Sequence, residues 1–550
     1  MRRTAVLLAV SSAALLAACL PSPPEPAAPL TAAALAAHVR VLASDAFGGR
    51  EPATPGEEKT IGYLREQFEQ AGLEPGNGTS FFQPVPLVAI TAAPDMTLRV
   101  TGKERFALEY GRDFVAWTKR VVTESAVTDS ELVFAGYGIV APELGWNDYA
   151  GSDVRGKTVV LLVNDPDHES PDGGPFQGRR MTYYGRWTYK FEEAARQGAA
   201  GVLLVHEDGA AGYPWGVVTG SWTGPQFDLV AADRNLGRAA VEGWLTQQAA
   251  QRLFEAAGHD YTALRNAARE RGFRAVPLGL TASLAIRNTI RESLSHNVVG
   301  VLRGRERPDE YVVYVAHWDH LGEDPALEGD RIFNGAVDNA TGVAGLIELA
   351  RAFARLTPRP ARSIVFLAVT AEESGLLGSR HYTENPLFPL ERTVAAINMD
   401  SLNVFGRTRD VTVYGRGASE LEDYLAGAAA AQGRVLTDED APEKGYYYRS
   451  DHFNFAKHGV PALYAESGVD LREGGVARGR ALAERFTAEH YHKPSDEYRE
   501  DWDLAGMVED LQLLFAVGRR LATGNEWPNW REGNEFRAIR DASRHAAAEN

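Results

Sequence analysis

Five short stretches deliver side chains that bind cations or move protons. "VVYVAHWDH" ends on His317 with Asp319 close behind, "NGAVDNATG" carries Asp338, "VFLAVTAEES" carries Glu372 and Glu373, "AAINMDS" carries Asp400, and "TAEHYHKPSDEY" carries His490 and His492. One carboxylate alone is usually a helix cap or a solvated loop residue, and one histidine a packed side chain. Four carboxylates around one crevice, Asp338, Glu372, Glu373 and Asp400, repel one another by several kcal/mol at low effective dielectric unless a cation sits among them. A pair of zinc ions meets that need, because Zn2+ takes imidazole and carboxylate and keeps a position open for water. His317 supplies one imidazole; either His490 or His492 supplies a second. The two flank Tyr491, so on an extended segment they share a face.

These residues need elements that bring them to one place. Each of the first four stretches follows or precedes a run of Val, Ile and Ala, and amphipathic segments such as "TGVAGLIELARAFARL" lie between them. Strands buried on both faces and alternating with helices predict a three-layer α/β/α domain with a mostly parallel, mixed sheet over 278–524. In such sheets ligands collect beyond the carboxyl ends of the strands. Residues 30–124 open with two helices around a Gly/Pro turn and continue into a β-rich stretch. Residues 125–277 have a different texture, with "YKFEEAARQGAAG" leading straight into "GVLLVHE", and predict a smaller α/β unit inserted into the larger one. From 525 to 550 the tail is polar, with Trp527 and Trp530 expected to dock on the domain surface.

A chain of 550 residues, 44% of them hydrophobic, buries a sizeable core and has room for two to four domains. Its net charge of −17 and the absence of a basic, aromatic-interleaved stripe speak against nucleic-acid binding. Residues 1–19 combine a basic start, a short apolar run and small residues, the pattern of an export signal rather than a spanning helix. The sole cysteine is Cys19, so no internal disulfide is expected. "LAAC" resembles the lipobox of bacterial lipoproteins, which implies lipidation of Cys19, export and anchoring in the outer membrane by lipid alone. Residues 20–29 are Pro-rich and read as an extended tether.

Taken together, "AHWDHLG", "NGAVDNATGVAGLIELA", "AEESGLLGS", "NMDS", "RSDHFNFAKHGVPAL" and "YHKPSDEY" resemble, in order and spacing, the M28 family of zinc peptidases. The resemblance extends to "LASDAFGGREPATPGEEKTIGYLREQF", and 125–277 resembles the protease-associated domain often inserted into exopeptidases. It implies two zinc ions bridged by Asp338, with His317 and Asp400 on one and Glu373 and His492 on the other. Asp319 then orients His317 from behind, and Glu372 is the general base. A tyrosine shortly before the Ser-Asp-His run stabilises the oxyanion in the family, which implies Tyr447, three residues before Ser450. Arg449 offers a charge for a substrate carboxylate or a structural acid. His452 and Asp496 fall in matched motifs as architectural residues, and His320, His381 and His458 are read as structural. The implied activity is removal of N-terminal residues from peptides. Its alternatives are a dizinc carboxypeptidase or dipeptidase of the same fold, a glutaminyl-cyclase-like acyltransferase, and a non-catalytic binding protein.

Overall fold

One strand of 27 residues, Val276–Leu302, runs through both large sheets of the protein. The structure, a computed structural model, describes residues 30–171 and 173–549. The expected export signal, Cys19 and the tether lie outside the described residues.

The strands that build the candidate site are β1 (Phe82–Ala92), β2 (Val276–Leu302), β3 (Arg307–His317), β4 (Arg362–Val369), β5 (Thr393–Asn398), β6 (Asp410–Val413) and β7 (Ala462–Ser467). They lie side by side in the order β1-β2-β4-β3-β5-β7-β6. The four central strands, β4, β3, β5 and β7, are parallel, whereas β2 and β6 join them antiparallel. The sheet is mixed and parallel at its centre, as the apolar runs predict. Along β3, Val312, Tyr314 and Ala316 enter one core while Val313 and Val315 enter the other. Period-two alternation with no polar face is what a sheet covered on both sides requires.

Helices α1 (Ala32–Leu42), α2 (Pro55–Gln70), α3 (Thr341–Ala354), α4 (Leu377–Glu384) and α5 (Ala505–Thr523) make the covering layers. Leu35, Phe68, Leu346 and Val517, from α1, α2, α3 and α5, fill one core, and Tyr382 from α4 enters the other. At the start of α2, Thr54 accepts from Gly56 N, Pro55 takes the first helical position, and Glu57 and Glu58 face the positive end of the helix. Gly378, in α4, is glycine for a steric reason: a Cβ there would lie 2.3 Å from the Thr370 carbonyl oxygen at the end of β4.

The second sheet differs from the expected boundaries. Thr97–Thr101, Arg105–Glu109 and Phe114–Trp117, expected to pack with the larger domain, pair within the second sheet. Pro225–Leu229, expected inside the insert, pairs with β1 in the first sheet. β2 stays in the second sheet as far as Arg287 before crossing to β1 at Asn288. Strand pairing is a long-range choice, and local hydropathy does not record which sheet a strand joins. The tail also differs: Arg537–Glu549 is helical, and Trp530 is fully buried with its indole N–H donating to the Gly459 carbonyl at 2.9 Å. Trp530 packs with Phe536 and Phe453, so the tail seals the second core instead of lying on it.

The two sheets are tied by a buried ion triad. Asp228, from Pro225–Leu229, lies 2.7 Å from Arg380 of α4 and 3.4 Å from Lys119. Burial works against its charge, but Lys119 and Arg380 hold its carboxyl well below the usual range. Asp228→Ala leaves two cations facing each other and is expected to lower unfolding stability by about 3 kcal/mol. Urea denaturation checks this; an unchanged midpoint contradicts it.

Candidate active site

The parallel strands release their ligands at one edge. His317 is the last residue of β3 and almost fully buried. Its Nε2 lies 3.3 Å from Asp338 Oδ1, 3.3 Å from Asp400 Oδ1 and 4.0 Å from Glu372 Oε2. His492 Nε2 lies 3.2 Å from Asp338 Oδ2 and 3.2 Å from Glu373 Oε2. Each oxygen of Asp338 therefore faces a different histidine. His490 points elsewhere, its Nδ1 3.0 Å from Ser495 Oγ.

Neighbouring loops hold this cluster rigidly. The Asp496 carboxylate accepts from Val337 N at 3.0 Å and Asp338 N at 3.1 Å, fixing the turn before α3. In that turn a Cβ on Gly335, whose φ is +53°, would lie 2.2 Å from the Asp338 carbonyl oxygen. Ser450 donates to Asp400 Oδ2 at 2.7 Å and accepts from Asn398 at 2.7 Å. Asp319 lies behind His317, its Oδ1 3.8 Å from His317 Nδ1, and has further partners. Its carboxylate accepts from the backbone N–H groups of Glu372 and Glu373 at 3.1 and 3.4 Å, while His317 Nδ1 sits 3.2 Å from its carbonyl oxygen. The side chain thus clamps the β4 exit to the β3 exit. Ala371, Ser401 and His492, all at bends into the cluster, have φ of 51°, 56° and 56°, left-handed conformations that cost energy away from glycine.

Arg50 lies behind the cluster, buried, and is itself left-handed with φ 52°. It donates to the carbonyls of Trp318 at 2.9 Å, Leu42 at 2.9 Å, Gly335 at 2.8 Å and Asn334. One side chain thereby ties the β3 exit to the turn that carries Asp338. Nothing in "FGGR" marks this from sequence, because every partner is a backbone carbonyl.

Tyr447 is not in the cluster. It is buried, its ring 4.7 Å from His452, and the acids that bear on its hydroxyl are Glu535 and Glu422. Tyr491 is the tyrosine that faces the site. Its ring stacks on His492 at 3.9 Å with 44% of the residue open to solvent, and the partial burial of its hydroxyl together with Asp338, Glu373, Glu372 and Asp400 raises it. Its place next to a candidate ligand was the available signal. His320, read as structural, has Nδ1 2.6 Å from Glu373 Oε1. His452 is buried between Tyr447 and Tyr464, and burial pushes it down to about 3, so it is neutral. His458 bonds the Asn454 carbonyl, away from the cluster.

Electrostatics separate the two adjacent glutamates. Burial raises both carboxyls, but His320 and His492 bring Glu373 down to about 2. Glu372 is raised well above the usual range by burial and by Glu373 and Asp400, despite His317. Burial opposes charge on the histidines, yet Glu372, Asp400 and Asp338 raise His317 well above its usual value, and Asp338 and Glu373 raise His492 to about 10.

The donor set fits metal. Oxygen and nitrogen ligands about 2.0–2.2 Å from one zinc at tetrahedral angles lie about 3.3 Å from each other, the spacing found here. His492 Nε2 is buried and close to two carboxylates, yet makes a well-angled hydrogen bond to neither. It points between them, as a ligand does. His317, Asp338 and Glu373, and likewise His317, Glu372 and Asp400, bring ligand atoms within 4.8 Å of one another.

Residues 297–516 match the description Peptidase family M28. The chain is 36% identical over 157 residues to Aminopeptidase NAALADL1 of Mus musculus, covering 28% of this chain and 19% of that protein. It is 40% identical over 104 residues to a probable zinc metalloprotease of Pyrenophora teres f. teres, covering 19% and 22%. The chain thus spans about a fifth of the length of these relatives. The solved aminopeptidase from Aneurinibacillus sp. strain AM-1 aligns over 90% of this chain and 95% of its own, at 18% identity and a TM-score of 0.49.

Metal loading must displace protons from His317 and His492. Below pH 10 the metal-free His492 is protonated, so zinc affinity is expected to rise between pH 6 and pH 8, by about tenfold per pH unit for each proton displaced. Competition titration with a chelator measures this; a flat profile contradicts it. Arg50→Ala is expected to weaken zinc retention at least tenfold, with Arg50→Lys intermediate, because the loops holding His317 and Asp338 lose their common tie. Metal content after gel filtration reads the outcome, and wild-type retention in Arg50→Ala contradicts it.

Proposed function

We propose that the protein is a zinc-dependent exopeptidase with two metal ions that removes N-terminal residues from peptides. The observation that carries this reading is the split of Asp338, whose two oxygens face separate histidines, beside a Glu372 that stands farther off, 4.0 Å from His317 Nε2. His317, Asp338 and Asp400 would hold one ion, and Asp338, Glu373 and His492 the other. Zinc, when bound, supplies Lewis acidity and lowers the pKa of water.

Glu372, raised in pKa and adjacent to the ligands, is suited to accept the proton of the attacking water and return it to the leaving amine. Water adds to the carbonyl carbon first, forming the C–O bond, and the C–N bond then breaks as the proton goes to nitrogen, giving a carboxylic acid and an amine. Tyr491, stacked on His492, is the donor suited to the developing oxyanion. Asp319, holding both glutamate amides, keeps the base and its ligand neighbour pointing apart.

Glu372→Gln is expected to keep its zinc while kcat falls by about 10²–10⁴, whereas Asp338→Asn loses metal. Near-normal turnover in Glu372→Gln rejects the base assignment. Peptides with free, N-blocked or C-amidated ends decide the terminus: the aminopeptidase reading expects cleavage of free-amine and C-amidated peptides and none of N-blocked ones. Export and lipid anchoring through Cys19 are part of the same proposal and rest on residues 1–29 alone; Cys19→Ser is expected to release the protein from membranes, as fractionation reads.

A further inference from the structure

His320 follows closely on the end of β3 and is only 1% exposed. It is fixed from several sides. Its backbone N–H donates to the Arg50 carbonyl at 3.4 Å. Its ring lies against Gly335, where a Cβ would come within 2.6 Å of the ring's Cγ and Cδ2, so the turn that leads to Asp338 has room for no larger residue there. The ring also meets that of His492 edge-on, centroids 5.7 Å apart at 74°. Nδ1 lies 2.6 Å from Glu373 Oε1.

These contacts are one-sided. Glu373, His492 and the Asp338 turn make up one of the two proposed metal positions. His317 and Asp400, which complete the other with Asp338, exchange no hydrogen bond with His320 among the described residues. Glu373 is engaged at both oxygens, Oε1 by His320 and Oε2 at 3.2 Å from His492 Nε2. With Oε1 taken by an N–H donor, Oε2 is the oxygen left for a cation. The Glu372 carboxylate has no such anchor among the described residues, and its Oε2 stands 4.0 Å from His317 Nε2. As mere filling, the buried imidazole of His320 would be costly, because its Nε2 has no hydrogen-bond partner among the described residues. The contact that justifies it is the one to Glu373.

We propose that His320 is a positioning residue that makes Glu373, and not Glu372, the metal ligand, and that it governs retention of one of the two ions alone. This rests on the two-ion reading. Donation from Nδ1 to Oε1 fixes the direction of the Glu373 carboxylate and leaves Glu372 free to take a proton. Contacts that orient a ligand in this way change metal affinity by about 10–100-fold.

The test follows the zinc content of the full chain during titration with a chelator, in wild type, His320→Asn, His320→Leu and His320→Asp. An asparagine amide donates from the position of Nδ1, leucine cannot donate, and aspartate turns an acceptor toward Glu373. Wild type and His320→Asn are expected to hold two equivalents. In His320→Leu and His320→Asp one equivalent stays as in wild type and the other is released at least tenfold more readily. A purely structural histidine gives a different outcome: both ions weakened alike with asparagine no better than leucine, or both held as in wild type. Either of these overturns the proposal. Should His320→Leu fail to fold, the near-isosteric asparagine and aspartate variants decide, and equal zinc retention in those two overturns it. A wild type that binds a single equivalent defeats the two-ion reading before any variant is compared, and the proposal falls with it.

Discussion

Mutual repulsion among Asp338, Glu372, Glu373 and Asp400 is the constraint on which the rest of the structure depends. Two unit charges 4 Å apart cost about 4 kcal/mol at an effective dielectric of 20, and these four are gathered at the carboxyl edge of one sheet. Left to relax, they would swing toward solvent. They stay because Asp496 grips the amides before α3, Ser450 holds Asp400, Asp319 grips the amides of both glutamates, and Arg50 ties two of the loops together. A scaffold that holds like charges together is preorganised for cations, and the raised histidines show the same field acting on protons.

The same scaffold gives two identical neighbouring side chains opposite roles. Ala371 turns the chain at the end of β4 in a left-handed conformation, and beyond it Glu373 finds His320 and His492 while Glu372 faces other acids. Sequence adjacency and chemical equivalence are thus separated by one turn and one clamp. The second sheet contributes through its seam: the Asp228 triad anchors it to α4, the helix just after this turn.

Much of the first sheet was legible because buried parallel strands write themselves as apolar runs, and the residues just beyond a run must lie at the sheet edge. His317, Asp338, Glu372, Glu373 and Asp400 are brought together by that rule. His492 was separable from His490 only by resemblance, since the two share a local pattern and differ in a backbone bend at φ 56°. The consecutive tyrosines Tyr446, Tyr447 and Tyr448 carry no local sign of which way each points, and only its place next to His492 sets Tyr491 apart. Arg50 left no trace in the sequence because its partners are carbonyls, and the sheet to which Thr97–Thr101 and Pro225–Leu229 belong is set by pairing across more than a hundred residues. The burial of Trp530 is not legible locally because the Gly459 carbonyl it donates to is 71 residues away.

Anomalous diffraction from crystals of the zinc-loaded protein, recorded on both sides of the zinc edge, tests the central claim most directly. The account requires two peaks about 3.5–4 Å apart, one among His317, Asp338 and Asp400 and the other among Asp338, Glu373 and His492. A single peak, or zinc bound away from Asp338, would contradict it.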